Sequence, residues 1–232
     1  MYPNPQRNET DVWFKGEPSY AGEIALEADP KIIYIGTKRL LDFMLALLGL
    51  MILSPFLLII SILIKLDDPK ASVLFYQTRI GKGGKPFRMF KFRSMVSNAE
   101  EMLEELLDQN EVSGAMFKMK NDPRVTRIGK WIRKTSIDEL PQLWNVIRGD
   151  MSLVGPRPAL PREVELYSNL DKLRLKVSPG CTGLWQVSGR SNLSFDQMIA
   201  LDLEYIERRG LWLDVKLIFR TIKIMIFPNS AY

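Results

Sequence analysis

A mainly helical α+β protein with one membrane-associated helix is the fold this sequence predicts, on three observations. Residues 43–64 carry no charged side chain, strand-like alternation begins after residue 72, and from residue 127 onward apolar side chains recur at helical spacing. The expected arrangement is a membrane helix packed on a small globular domain that holds a short β-hairpin and several amphipathic helices.

At 232 residues the chain can bury one principal core together with a membrane element. The net charge of +5 points to an anionic partner: phosphates, lipid headgroups or nucleic acid. Histidine is absent, which removes the commonest general base and transition-metal ligand. A single cysteine, Cys181, excludes an intrachain disulfide and a cysteine-rich zinc cluster. Chemistry therefore falls to carboxylates, Lys, Arg, hydroxyls and a hard cation such as Mg²⁺.

Residues 1–35, rich in Pro, Gly and Asn with no hydrophobic period, read as a mobile leader. Residues 36–66 form the membrane helix. Its apolar run, "FMLALLGLMILSPFLLIISILI", would reach ~33 Å as a helix, enough to cross a bilayer. Ser54 and Pro55 sit at its centre, where proline removes a backbone donor and clashes with the carbonyl of Met51, so a bend or break is expected there. Lys38 and Arg39 flank one end, Lys65 and Lys70 the other, and no positive-inside asymmetry results. A re-entrant helix with both ends on one face fits the symmetric charge and the central proline. A straight span, whose proline is tolerated by neighbouring groups, stays open on these residues, as does a buried core helix.

Residues 67–232 form the globular part. "VLFYQTRIG" and "KPFRMFKFRSM" read as two strands joined by the turn "GKGG". An acidic amphipathic helix follows over "AEEMLEELLDQN". Ile128, Trp131 and Ile132 define a short helix decorated by Arg127, Lys130, Arg133 and Lys134. Leu140, Leu143, Trp144 and Ile147 define another, which stops at Gly149. A helix is expected near residues 161–169, then the loop "SPGCTGLWQVSGRSN" holding Cys181, then an amphipathic helix from Phe195 to Arg209 in which Asp202 and Glu204 face solvent. The last helix, "LWLDVKLIFRTIKIMIF", places Lys216, Arg220 and Lys223 opposite bulky apolar residues, a pattern shared by interfacial helices and ordinary core helices.

Asp138 and Glu139 stand side by side between two basic clusters. One reading is a capping box, with Ser136 as N-cap and Glu139 reaching back to its amide; Pro141 would then fall inside the helix and remove a ladder bond. The other starts the helix at Asp138 or Leu140, which leaves Pro141 in the tolerant first turn and both carboxylates at the positive helix end. An ionised Asp is a competent nucleophile toward phosphorus, and phosphoryl transfer demands charge neutralisation more than proton shuttling. An adjacent Glu can hold Mg²⁺, and Arg133 and Arg157 offer planar donors to phosphate oxygens.

With these residues in place, the sequence resembles the bacterial sugar transferase family, the monotopic phosphoglycosyl transferases. The resemblance covers residues 36–228 and rests on "KRLLDF", the central Ser54-Pro55, "FYQTRIGKGGKPFRMFKFRSM", "DPRVTRIGKWIRKTSIDELPQLWNVIRGDMSLVGPRP" and "PGCTGLWQVSGR". It implies a re-entrant helix that dips into the cytoplasmic leaflet and returns at Ser54-Pro55. It implies Asp138 as nucleophile, Glu139 as Mg²⁺ ligand, and Lys91, Arg133, Arg157 and Arg190 as phosphate and substrate contacts. The implied reaction transfers hexose 1-phosphate from a UDP-hexose to undecaprenyl phosphate through an aspartyl phosphosugar, releasing UMP and starting exopolysaccharide or other glycan assembly at the cytoplasmic face of a bacterial inner membrane. Ser94 stands where the family usually has Thr, and the short leader resembles the family's minimal, exopolysaccharide-initiating form. The closing "GLWQVSGR" resembles the branch that handles galactose or glucose 1-phosphate. The rival is a membrane-anchored basic module that binds anionic lipid or nucleic acid without catalysis. It gives no reason for paired acids inside the basic patches, so no nucleic-acid partner is expected. Homo-oligomerisation is left open.

Overall fold

The computed structural model describes residues 32–99, 101–102, 106, 119, 122–189 and 193–226. The leader up to residue 31, most of the expected acidic helix and Arg190 lie outside the described residues.

Helix α1 spans Ile32–Asp67. The helix continues through Pro55, so of the bend or break expected there the chain does not break. A physical reason is at hand: Ser54 Oγ donates to the carbonyl of Met51 at 2.8 Å, the acceptor that Pro55 has no N–H to serve. Asp42, Ala46, Ile60 and Ile64 form a buried stripe, whereas Met44, Leu48, Met51, Ile52, Leu58, Ile59 and Ile62 are exposed. The helix is long and apolar enough to cross a membrane.

Both ends of α1 are bonded to the rest of the protein. Near its start, Tyr34 Oη and Lys38 Nζ both donate to Asp214 Oδ2 at 2.8 Å, and Arg39 donates to the carbonyls of Val146 and Ile147 at 2.6 and 2.8 Å. Asp42 Oδ2 accepts from Ser152 Oγ at 2.7 Å. At the far end, Asp67 Oδ2 accepts from the backbone N–H of Ile128 at 3.1 Å, and Asp68 Oδ2 from that of Ser97 at 2.9 Å.

Strands β1 (Leu74–Ile80) and β2 (Pro86–Phe92) form the expected antiparallel hairpin, paired from Leu74 with Phe92 to Ile80 with Pro86. Gly83 and Gly84 at its tip take positive φ of 69° and 76°, which suits residues without a Cβ. Helix α2 (Arg127–Lys134) is capped by Thr126, whose side chain accepts from the N–H of Gly129. Helix α3 (Gln142–Arg148) ends at Gly149 with φ of 90°. Strands β3 (Ser152–Val154) and β4 (Gly180–Thr182) pair in parallel, which places Cys181 on a strand rather than in a loop. A Cβ on Gly180 would stand 2.1 Å from the Gly155 nitrogen, so this close approach demands glycine.

Helices α4 (Pro161–Glu165), α5 (Leu184–Ser188), α6 (Phe195–Arg208) and α7 (Leu211–Ile226) complete the described fold, with a 3₁₀ segment at Asp171–Lys176. Ser194 and Gln197 form a capping box at the start of α6. One core cluster joins Val154, Leu184, Trp185, Leu201, Tyr205 and Leu217; two others unite α1 with the domain, through Ala46 with Met89, Val146 and Met151, and through Ile60 and Ile64 with Phe92 and Ile132. On α7, Trp212 and Phe219 are exposed. Asp202 corrects an expectation. It does not face solvent but is fully buried, ion-paired with Arg174, because a carboxylate there is the counter-charge to a buried guanidinium.

Candidate active site

Asp138 and Glu139 occupy a 3₁₀ turn, Ile137–Glu139, between α2 and α3. The chain enters it through Ser136 in the left-handed region, φ 57° and ψ 19°, the one described non-glycine residue with positive φ. Ser136 makes no side-chain cap bond, so the capping box does not form. The turn closes instead through the N–H of Glu139 to the Ser136 carbonyl at 3.2 Å and that of Leu140 to the Ile137 carbonyl at 3.1 Å. Pro141 then stands just ahead of α3, where its missing N–H costs no ladder bond.

Around this turn the fold gathers cations from three elements. Lys91 on β2 donates to Glu139 Oε1 at 2.6 Å. Arg133 on α2 donates from Nε to Ser94 Oγ at 2.8 Å, and its charge acts on Asp138. Arg157, between Pro156 and Pro158, acts on Glu139 and lies 5.9 Å from the Trp185 ring centroid. Lys91, Arg133 and Arg157 thus stand around the acid pair; Arg190 lies outside the described residues. Ser54 and Pro55 sit on the exposed part of α1.

Two backbone contacts fix this geometry. A Cβ on Gly129 would meet the Ser94 carbonyl at 2.0 Å, so α2 can press on the end of β2 only with glycine there. Asn145 on α3 is fully buried and bonds β2 twice, accepting from the N–H of Phe90 at 3.0 Å and donating to the Arg88 carbonyl at 2.7 Å. Together they hold Lys91 and Arg133 against one turn. Arg79, buried at the end of β1, also acts on Glu139.

The two acids differ in environment. Burial, and next the charge of Glu139, push the Asp138 carboxyl up to about 6, against the pull of Lys91 and Arg133. For Glu139, burial pushes upward, yet Lys91, Arg157 and Arg79 outweigh it and hold the carboxyl below its ordinary value. Glu139 is therefore ionised at neutral pH, and Asp138 is mostly so. Each carboxylate is a hard oxygen donor. Among the described residues no group of three or more His, Cys, Asp or Glu forms a closed cation cage. Mg²⁺ needs less, one or two carboxylates completed by water and substrate phosphate, and the Asp138–Glu139 pair fits that mode.

Sequence reasoning missed Arg79, Asn145 and the Arg174–Asp202 pair. Only "QTRIG" and "QLWNV" carried the first two, as polar residues at positions whose apolar neighbours mark a core.

Comparison with known proteins places the chain firmly. The profile of the bacterial sugar transferase family matches residues 33–228. The chain is 46% identical over 202 residues to the galactosyl transferase CpsE of Streptococcus agalactiae, covering 87% of this chain and 44% of that protein. It is 43% identical to the undecaprenyl-phosphate galactose phosphotransferase of Salmonella typhimurium, covering 84% of this chain and 41% of that protein. It is 42% identical to the exopolysaccharide production protein ExoY of Rhizobium meliloti, covering 84% of this chain and 88% of that protein. The chain thus spans less than half the length of the first two relatives and most of the third.

Proposed function

This chain belongs to the bacterial sugar transferase family, and from that premise we propose that it transfers a hexose 1-phosphate, galactose or glucose, from a UDP-hexose to undecaprenyl phosphate. The product starts exopolysaccharide or other glycan assembly. Relatives named for galactose, glucose and N-acetylgalactosamine transfer to undecaprenyl phosphate support the reaction class.

The reaction proceeds in two displacements. An Asp138 carboxylate oxygen attacks the sugar-bearing phosphorus of the donor; the anhydride bond breaks, its electrons go to UMP, and Asp138 carries the phosphohexose. A phosphate oxygen of undecaprenyl phosphate then attacks the same phosphorus, the acyl–phosphate bond breaks, and the Asp138 carboxylate is regenerated. One anhydride is exchanged for another, so no further energy source enters. Lys91, Arg133 and Arg157 neutralise the donor's phosphates and orient them for in-line attack. Glu139 would hold Mg²⁺, which when bound supplies further neutralisation at the diphosphate.

The same reading assigns α1 as a re-entrant helix in the cytoplasmic leaflet of the inner membrane. Its support is the bonding of both helix ends to one domain, at Lys38 with Asp214 and at Asp67 with the Ile128 N–H, while an apolar face remains exposed. Trp212 and Phe219 on α7 suit the interface beside it.

The observation that carries the proposal is the acid pair held among Lys91, Arg133, Arg157 and Arg79. It is tested by incubating purified protein with sugar-labelled UDP-galactose or UDP-glucose, without lipid acceptor. Label should be retained on the protein with release of UMP, and added undecaprenyl phosphate should discharge it. A non-catalytic binding module would retain no label and release no UMP.

A further inference from the structure

The segment that carries Arg157 is held by four successive carbonyls. Pro156 O accepts from the N–H of Gly180 at 2.8 Å, Arg157 O from Arg174 Nη2 at 3.1 Å, Pro158 O from Arg79 Nη1 at 3.1 Å, and Ala159 O from the N–H of Ile80 at 2.9 Å. Two prolines fix φ on either side of Arg157. The segment is therefore constrained as tightly as a strand, although only Ile80 and Ala159 form a bridge.

Two of the four donors are buried guanidiniums, and they differ in how their charge is met. Arg174 is answered by the Asp202 carboxylate and the Tyr167 hydroxyl. Arg79, 7% exposed, makes no ion pair within 4.0 Å among the described residues. Its Nη2 donates to Gln77 Oε1 at 2.8 Å, and its Nε, like that of Arg174, meets no acceptor among the described residues. Burial, and next the charge of Arg157, hold its pKa down to about 10 against the pull of Glu163 and Glu139 from beyond ion-pair range, so it stays protonated at neutral pH. A buried cation beside another cation is costly unless an anion joins them.

We infer that Arg79 is a positioning residue for the donor's diphosphate: it fixes Arg157 through the Pro158 carbonyl, and the bound diphosphate supplies at Arg157 the close counter-charge that Glu139 and Glu163 give this pair only from beyond ion-pair range. This rests on the donor reading above. Because Arg79 acts through Arg157, its loss should matter little once Arg157 is gone.

The test is UDP binding, with Mg²⁺ present, to the full-length detergent-solubilised protein by calorimetry, alongside the thermal midpoint of each ligand-free variant. Arg79→Gln, whose side chain ends two atoms short of the position of Nη1 and carries no charge, should weaken UDP binding tenfold or more, and Arg79→Lys should recover part of that loss. In the Arg157→Gln background, Arg79→Gln should weaken binding by less than threefold. Wild-type affinity in Arg79→Gln, or losses that multiply in the double variant, would overturn the inference. Should Arg79→Gln fail to fold, Gln77→Met frees one arm of the guanidinium while leaving its charge; a severalfold weaker UDP affinity supports the role, and an unchanged one overturns it. Absence of UDP binding by the wild type would instead overturn the donor reading, and this inference with it.

Discussion

Lys91 Nζ donates to Glu139 Oε1 at 2.6 Å and so ties the second hairpin strand to the turn that carries both acids. The Lys91 charge also acts on Asp138, where it opposes burial. In the proposed reaction Asp138 must be ionised to attack, and burial raises its carboxyl to about 6. UMP release in the first turnover should therefore be flat above neutral pH and fall toward tenfold per pH unit below about 6. Lys91→Met removes a charge that favours the carboxylate, so this acid limb should move to higher pH. Rapid-quench UMP release between pH 5 and 8 checks both outcomes.

Asp138→Asn should abolish turnover yet make the protein more stable at alkaline pH. A carboxyl whose folded value is raised contributes stability below its ordinary value and loses it as pH rises through about 6. At pH 8 the buried carboxylate therefore costs up to about 3 kcal/mol, from a rise of about two units. The Asn variant should gain about 1–3 kcal/mol at pH 8, with the gain shrinking toward pH 5. Denaturant unfolding at the two pH values measures it.

Asp202→Ala leaves the Arg174 guanidinium buried without its carboxylate and frees one anchor of the Arg157 carbonyl. A loss of about 3–5 kcal/mol is expected, as for other broken buried pairs. At a temperature where the variant is folded, the KM for the UDP-hexose should rise. Thermal unfolding and steady-state kinetics together test this.

Bonding of both α1 ends to one domain predicts same-side accessibility. Single cysteines at Ile33 and at Leu66, in a Cys181→Ser background, should both react with an impermeant thiol reagent in inverted membrane vesicles and neither in intact spheroplasts. Opposite accessibility of the two positions would overturn the re-entrant reading.

Much of this was legible where the chemistry is local. The hairpin announced itself by alternation around "GKGG", α2 and α3 by the spacing of Ile128, Ile132, Leu143 and Ile147, and the end of α3 by Gly149. The pairing of β3 with β4 joins segments of three residues far apart in sequence, too short to show a period. Arg79, Arg174 and Asp202 escaped for a related reason: a charged residue in an amphipathic pattern reads as solvent-facing, and only tertiary contact reveals its buried partner. The Ser54 bond to Met51 was likewise invisible, since it is the rotamer of a small hydroxyl that lets the helix run on through Pro55. For the acids, the sequence placed Asp138 and Glu139 at a helix start, whereas the left-handed Ser136 sets them on a separate 3₁₀ turn.

The central claim is that Asp138 itself carries the phosphohexose between the two substrates. Its most direct test is peptide mass spectrometry of protein quenched within the first turnover with UDP-galactose or UDP-glucose, Mg²⁺ and no lipid acceptor. The account predicts a phosphohexose adduct on the peptide containing Asp138, gone on addition of undecaprenyl phosphate. Release of UMP to lipid acceptor at full rate, with that peptide never modified, would contradict it.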